Sequence, residues 1–259
     1  MCLILVASHA HPDYPLVVAA NRDEFFARPA AAASFWPDAP QVLAGRDLEA
    51  GGTWLGITRQ GRFAALTNYR EGRKQRPDSP SRGALVAGFL AGEADVEHYL
   101  GELAAHGADY NGFNLFVGDG RRLGYYSNRD AGPRWLTPGI YGLSNHLLDT
   151  PWPKLATAKA AFAKALTELP RPAPFFELLA DREIVPDPHL PETGVPRDWE
   201  RILSAVFVNS PDYGTRASTL LTIDRNGLVT LTERSFGAAA QPIGEVRECF
   251  QSSLMSTGV

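Results

Sequence analysis

Cys2-Leu3-Ile4-Leu5-Val6-Ala7, answered by Leu16-Val17-Val18-Ala19-Ala20 running into Asn21-Arg22-Asp23-Glu24, is the stretch that decides the fold. Both are apolar runs of strand length. Between them lies His9-Ala10-His11-Pro12-Asp13-Tyr14-Pro15, which reads as a turn because its two prolines cannot donate to a ladder. The pattern predicts an antiparallel hairpin whose return strand brings Arg22 and Asp23 back beside Cys2. Cys2 directly follows the initiator methionine, and a small second residue favours removal of Met1. A freed Cys2 would unite a thiol of pKa about 8.5 with an α-amine of about 7.7–8.0 in one residue. That amine can take the thiol's proton or relay one through water, so the nucleophile carries its own base. The structural alternative is that Cys2 is a small hydrophobe opening a buried strand.

The rest of the chain carries strands at both ends and helices between them. Ala27 to Pro40, rich in alanine and proline, reads as irregular. Gly51-Gly52-Thr53-Trp54-Leu55-Gly56-Ile57 and Arg62-Phe63-Ala64-Ala65-Leu66-Thr67-Asn68 form a strand pair around Gln60-Gly61. Arg70, Arg73, Lys74 and Arg76 mark a charged surface loop suited to an anionic substrate such as a phosphorylated carrier, or simply mobile. Helices are expected over 81–91, 95–106, 152–169, 175–181 and 199–205. Further strands are expected over 113–117, 123–126, 139–143, 205–209, 218–223 and 229–233, the last two joined by Asp224-Arg225-Asn226-Gly227. This is not the regular alternation of a parallel α/β fold; it suits antiparallel sheets covered by helices, in one domain spanning 1–259.

Composition narrows the function classes. A chain of 259 residues, 44% of them hydrophobic, can build a large core. A net charge of −4 favours neither nucleic acid nor an anionic membrane surface. No apolar run is long enough to cross a bilayer, and the N-terminus has no secretory signal pattern. Two widely separated cysteines make no disulfide framework, so a cytoplasmic setting is expected, with Cys249 as a packing residue.

A cysteine nucleophile needs a positive field or a base within reach, and acyl transfer needs donors aimed at the developing oxyanion. Arg22 offers the field, and Asp23 can hold the α-ammonium. Asn68 and Asn145 end strand-like runs and can donate to an oxyanion, while Arg216 opens a late strand. Taken singly, each has a structural reading: strand-end charges for Arg22, Asp23, Glu24 and Arg216, and turn formers for the asparagines. His9-Ala10-His11 lacks a third metal ligand, and His146 is either a site residue or a turn histidine. Dinucleotide-binding, P-loop and serine-elbow motifs are absent.

Met1-Cys2, Ala20-Asn21-Arg22-Asp23-Glu24-Phe25, Gly51-Gly52-Thr53-Trp54-Leu55-Gly56, Leu66-Thr67-Asn68-Tyr69-Arg70, Gly142-Leu143-Ser144-Asn145 and Gly214-Thr215-Arg216-Ala217-Ser218-Thr219 follow one another in that order along nearly the whole chain. In this the sequence resembles the NRDE family, which includes the transport and Golgi organisation protein 2 homologues. That family in turn resembles N-terminal nucleophile hydrolases of the penicillin V acylase and bile salt hydrolase type. The resemblance implies an α+β, four-layer αββα sandwich of two antiparallel sheets covered by helices. It implies Cys2 as nucleophile with its own amine as base, flanked by Arg22 and Asp23. Asn68 and Asn145 would build the oxyanion site, supported by Arg216. In the acylases the arginine and aspartate are separated by two residues, whereas here they are adjacent.

Two function classes follow. The first is a cysteine amidohydrolase or thioesterase acting on an acyl bond. The second, to which the family is linked, is a non-catalytic carrier of haem or of an acyl-CoA-like lipid, with Trp54 and Tyr69 near the ligand and histidines as axial ligands. No resident cofactor is expected in the first, and haem is the ligand in the second. Neither the acyl group nor the oligomeric state is written in the sequence.

Overall fold

The apolar runs at the start of the chain are continuous, not alternating, because the strands they form are covered on both faces. The computed structural model describes residues 2–72 and 75–253, Cys2 through its main chain. Met1, the Cys2 thiol, Arg73 and Lys74, all invoked above, lie outside what is described. In chain order the elements are β1 (Cys2–His11), β2 (Tyr14–Phe25), β3 (Ala30–Trp36), β4 (Ala39–Asp47), β5 (Leu55–Thr58), β6 (Phe63–Asn68), α1 (Gly83–Ala91), α2 (Val96–His106), β7 (Phe113–Gly118), β8 (Leu123–Ser127), β9 (Arg134–Leu136), β10 (Gly139–Leu143), α3 (Pro153–Leu166), α4 (Ala173–Leu179), α5 (Arg197–Ile202), β11 (Tyr213–Ile223), β12 (Leu228–Phe236) and β13 (Pro242–Gln251).

The strands form two antiparallel sheets. One runs β10-β1-β2-β11-β12-β13 and the other β3-β4-β5-β6-β7-β8-β9. Side-chain parity sorts β1 and β2 between two cores. Ile4, Val6, Leu16, Val18 and Ala20 meet Leu43, Ile57 and Phe116 of the second sheet. Leu3, Leu5, Val17 and Ala19 instead meet Leu155, Phe162, Phe175 and Leu179 of α3 and α4. On the far side, α1 and α2 lay Val86, Phe89, Leu100 and Leu103 over Ala64, Leu115 and Val117. The result is the expected four-layer αββα sandwich. The Asp95 carboxylate caps α2 by accepting from the His98 N–H at 2.8 Å, and Pro153 sits in the first turn of α3, where its missing N–H costs nothing.

Several expectations are corrected. Residues 30–36, read as irregular, form β3: its alanines are small enough to lie close against the first sheet, where the Ala33 N–H donates to Glu233 Oε1 at 2.7 Å. The edge strand β13 was missed because its outward face is polar; of its side chains only Val246, Glu248 and Phe250 are half-buried. Residues 205–209, read as a strand, pair only through an isolated bridge from Asn209 to Gly214. Their apolarity reflects burial, with the Phe207 N–H donating to the Asp181 carbonyl at 2.6 Å. Asn21–Glu24 lies inside β2, and His9–His11 lies inside β1. Arg70 is buried and anchored, unlike the mobile loop residue expected. Cys249 is exposed on the edge strand, where it fills no core.

Candidate active site

The hairpin register brings the motif to the start of the chain. Cys2 stands opposite Arg22 in the β1–β2 ladder. On the other side of β2, Asp23 stands opposite Thr215, and the β2–β11 register slips between Thr215 and Ala217. Arg216 is the extra residue of this bulge. A bulge locally disrupts the ladder and re-aims side chains, and it lies here directly against Arg22 and Asp23.

Parity gives the four motif residues different tasks. Arg22 faces the second sheet, like Ala20, and its guanidinium lies 4.2 Å from the centre of the Trp54 ring. Nη1 of this buried side chain has no hydrogen-bond partner among the described residues. Two close approaches hold the Trp54 platform. A Cβ on Gly45 would meet the indole at 2.3 Å, and one on Gly52 would meet the Gly83 backbone at 2.5 Å. The Gly-Gly-Thr-Trp run therefore serves packing as well as the turn, where Gly51 takes φ +72°.

Asn21 faces the helices. Its amide donates to the Leu179 carbonyl at 2.8 Å and the Val206 carbonyl at 3.0 Å, and its oxygen accepts from Ser218 Oγ at 2.6 Å. Asp23 is 1% exposed. Its Oδ1 accepts from Thr215 Oγ1 at 2.7 Å, and its carbonyl accepts from the Tyr213 hydroxyl at 2.9 Å. Burial pushes the Asp23 carboxyl above its ordinary value, against the pull of nearby positive charge that includes Lys154 and Arg70. Glu24 accepts from the Phe25 N–H at 2.9 Å.

A polar cleft of about 400 Å³ opens at this end of the sandwich, lined among others by Arg22, Asp23, Glu24, Trp54, Asn68 and Arg82. Arg28 binds Asp47 at 2.8 Å and Glu49 at 2.9 Å on its wall. Asn68 thus shares the cleft with Arg22 and Asp23. Asn145 is fully buried and does not line that cleft. Its Nδ2 donates to the Asn68 carbonyl at 2.9 Å, and its own carbonyl accepts from the Arg70 N–H at 2.6 Å, fastening the end of β10 to the end of β6. Arg216 is spent on main-chain carbonyls. Its Nη1 donates to Phe25, Phe26 and Arg28 at 2.9, 3.2 and 3.0 Å, and its Nε to Phe236 at 3.3 Å, strapping down the loop that follows the motif.

The sequence reading missed two features. Glu233, on β12, is buried between the sheets and accepts from the Ala33 N–H and, at 3.2 Å, from Thr219 Oγ1. Burial raises its carboxyl above the ordinary value, with Arg22 among the groups pulling it down. Alternation along β12 places Glu233 on the same face as Val229 and Leu231, so the period of the strand was the signal that could have found it. The other is a cluster of buried charges behind Asp23. Arg70 pairs with Glu200 at 2.7 Å and lies 4.8 Å from the centre of the Trp152 ring. Glu200 Oε1 also accepts from the Thr193 N–H and hydroxyl at 3.0 and 2.6 Å. Lys154 Nζ donates to the Leu203 carbonyl at 2.8 Å, the same oxygen that Arg70 reaches at 3.4 Å.

No group of three metal-ligating side chains is found among the described residues. None of the described cleft residues is a histidine. His146 has both ring nitrogens engaged, with the Tyr69 hydroxyl at 2.8 Å and Thr150 Oγ1 at 2.9 Å. The cleft thus offers haem no axial histidine among the described residues. Among the described residues, no helix is long and apolar enough to cross a membrane.

The family model described as Transport and Golgi organisation 2 matches residues 1–238. The Transport and Golgi organization protein 2 homolog of Bos taurus is 47% identical over 259 residues, covering 91% of this chain and 93% of that protein. The Homo sapiens homolog is 40% identical over 257 residues, with the same coverage of 91% and 93%. Among solved structures, a mutant conjugated bile acid hydrolase from Clostridium perfringens aligns over 98% of both chains with a TM-score of 0.49 and 8% identity. The Caenorhabditis elegans ortholog of N-acylethanolamine-hydrolyzing acid amidase covers 77% of this chain and 97% of its own, with a TM-score of 0.46 and 12% identity.

Proposed function

The chain belongs to the Transport and Golgi organisation 2 family, and from that premise we propose that it is a hydrolase whose nucleophile is Cys2, acting on an acyl amide or acyl thioester. The observation that carries the reading is the register: Cys2 opposite Arg22, with Asp23 next along β2, at the head of a polar cleft. Once Met1 is removed, the Cys2 amine takes the thiol proton, and the thiolate attacks the acyl carbonyl carbon. A C–S bond forms, and the carbonyl electron pair moves onto oxygen. Arg22 Nη1 and Asn68 are the groups of the cleft suited to meet that charge. The intermediate collapses with loss of the amine or thiol leaving group, which takes the proton from the α-ammonium. Water, deprotonated by the same amine, then cleaves the thioester to release a carboxylic acid and restore the thiol.

Of the two classes drawn from the sequence, hydrolysis is preferred over haem carriage because the described cleft holds guanidinium, carboxylate and amide groups and no histidine. The test is turnover. The purified protein should release acid from a panel of acyl thioesters and amides with an initial burst of leaving group, and Cys2→Ala should abolish it. Equal rates from Cys2→Ala and the wild type would remove the reading.

A further inference from the structure

The buried charges behind the motif balance. Asp23 and Glu200 supply two carboxylates and Lys154 and Arg70 two cations, all at most 6% exposed. Isolated burial of any one would cost several kcal/mol. The four come from four separate parts of the chain, β2, the segment after β6, the first turn of α3, and α5, so no local rule of folding requires them to meet. Arg70 and Lys154 converge on the Leu203 carbonyl, while Glu200 holds Arg70 from behind and is itself held by Thr193. Leu203 packs with Tyr213, whose hydroxyl donates to the Asp23 carbonyl, and Thr215 holds Asp23 Oδ1, so Asp23 lies beside the cluster and, along β2, next to the residue opposite Cys2. A core that only needed stability would be served as well by apolar side chains at these positions.

We propose that Lys154, assisted by Arg70, is a positioning residue that keeps the Asp23 carboxylate charged beside the amino end of β1, where it steadies the α-ammonium formed when Cys2 transfers its thiol proton to its own amine. The proposal rests on the hydrolase reading above. The transfer moves one proton from sulfur to nitrogen and leaves a thiolate–ammonium pair. A negative Asp23 favours that pair, and a neutral Asp23 does not. The groups around Asp23 are Arg22 and Glu24 on its own strand, Tyr213 and Thr215 on β11, Lys154 on α3, and Arg70 with Glu200 behind it. Burial favours the neutral acid. Lys154, the Thr215 hydroxyl and Arg70 are among the groups that oppose it.

The experiment is alkylation of Cys2 by iodoacetamide as a function of pH, read by mass spectrometry of the N-terminal peptide in a Cys249→Ser background, since Cys249 is exposed. Lys154→Gln removes the charge and retains an amide donor one atom shorter, facing the Leu203 carbonyl. It should move the Cys2 profile to higher pH and slow alkylation at neutral pH about tenfold, the effect of a midpoint shift of about one unit. Lys154→Arg should restore the wild-type profile, and in an Asp23→Asn background Lys154→Gln should have no further effect. A Lys154→Gln profile that coincides with the wild type, while wild-type Cys2 titrates below an ordinary thiol, overturns the positioning role and leaves the hydrolase reading intact. An ordinary thiol profile in the wild type overturns both. Should Lys154→Gln fail to unfold cooperatively, Thr215→Val decides the matter. It deletes the hydroxyl bound to Asp23 and must move the profile in the same direction; no movement overturns the proposal.

Discussion

Asn21 stands in the middle of the motif and yet has a purely mechanical task, which makes Asn21→Ala an informative perturbation. The side chain is 1% exposed and makes three hydrogen bonds. Two of them tie β2 to the Leu179 carbonyl at the end of α4 and to the Val206 carbonyl of the buried segment before β11. The third joins it to Ser218 across the β2–β11 ladder. Truncation leaves two carbonyls and one hydroxyl unpaired where water does not reach. At about 0.5–1.5 kcal/mol net for each bond, the loss is about 3 kcal/mol. Ser218→Ala removes one bond and should cost about 1 kcal/mol. Because the pair shares that bond, the double variant should fall short of the sum by about 1 kcal/mol. Asn21→Asp should be worse than Asn21→Ala, since it sets a carboxylate against two carbonyl oxygens. The assay is urea unfolding, supported by thermal melts, where about 3 kcal/mol corresponds to roughly 6–12 °C in a chain of this size. Iodoacetamide labelling of Cys2 should survive in folded Asn21→Ala. A loss below about 1 kcal/mol together with abolished labelling would refute the reasoning and make Asn21 a chemical residue.

Gly45→Ala should destabilise by about 1–3 kcal/mol, because its Cβ would overlap the Trp54 indole; a shift in tryptophan fluorescence should accompany the loss, and an unchanged spectrum with unchanged stability would contradict the packing. Trp54→Ala removes the face under Arg22 and should cost about 0.5–2 kcal/mol, with slower alkylation of Cys2 by iodoacetamide; equal rates would show that Arg22 needs no platform. Glu233 is held above its ordinary value by burial, so its contribution to stability is full below the unfolded pKa of about 4.3 and is lost as pH rises through the higher folded value. Relative to wild type, Glu233→Gln should therefore gain stability as pH rises through that window; urea midpoints that keep a constant difference across pH would contradict the assignment.

Much of the fold was legible because its signals are local. The runs 3–7 and 16–20 could only be strands, and Asn-Gly and Gln-Gly turns marked the hairpins around 226–227 and 60–61. What was illegible depended on partners distant in the chain. Ala30–Trp36 carries no strand signal of its own; it is a strand because β4 and the first sheet lie beside it. β13 shows its outward face to solvent, so the alternation that would identify it is weak. At the site, the Cys2–Arg22 pairing followed from hairpin geometry, and Asn68 does line the cleft. The tasks of Asn145 and Arg216, holding main chain through carbonyl bonds, were not readable from residue type. Least legible were the charges. Arg70 looked like the first residue of a solvated basic loop, and nothing in the sequence singled out Lys154 or Glu200, because burial of an ion is decided by its counter-ion and not by its neighbours in sequence.

The most direct measurement is intact and peptide mass spectrometry of the protein before and after incubation with an electrophilic acyl probe. The expected result is a chain beginning at Cys2 that gains one acyl group on the N-terminal peptide. A chain that still begins with Met1, or one whose adduct sits on Cys249 alone, would contradict the assignment of Cys2 as the nucleophile.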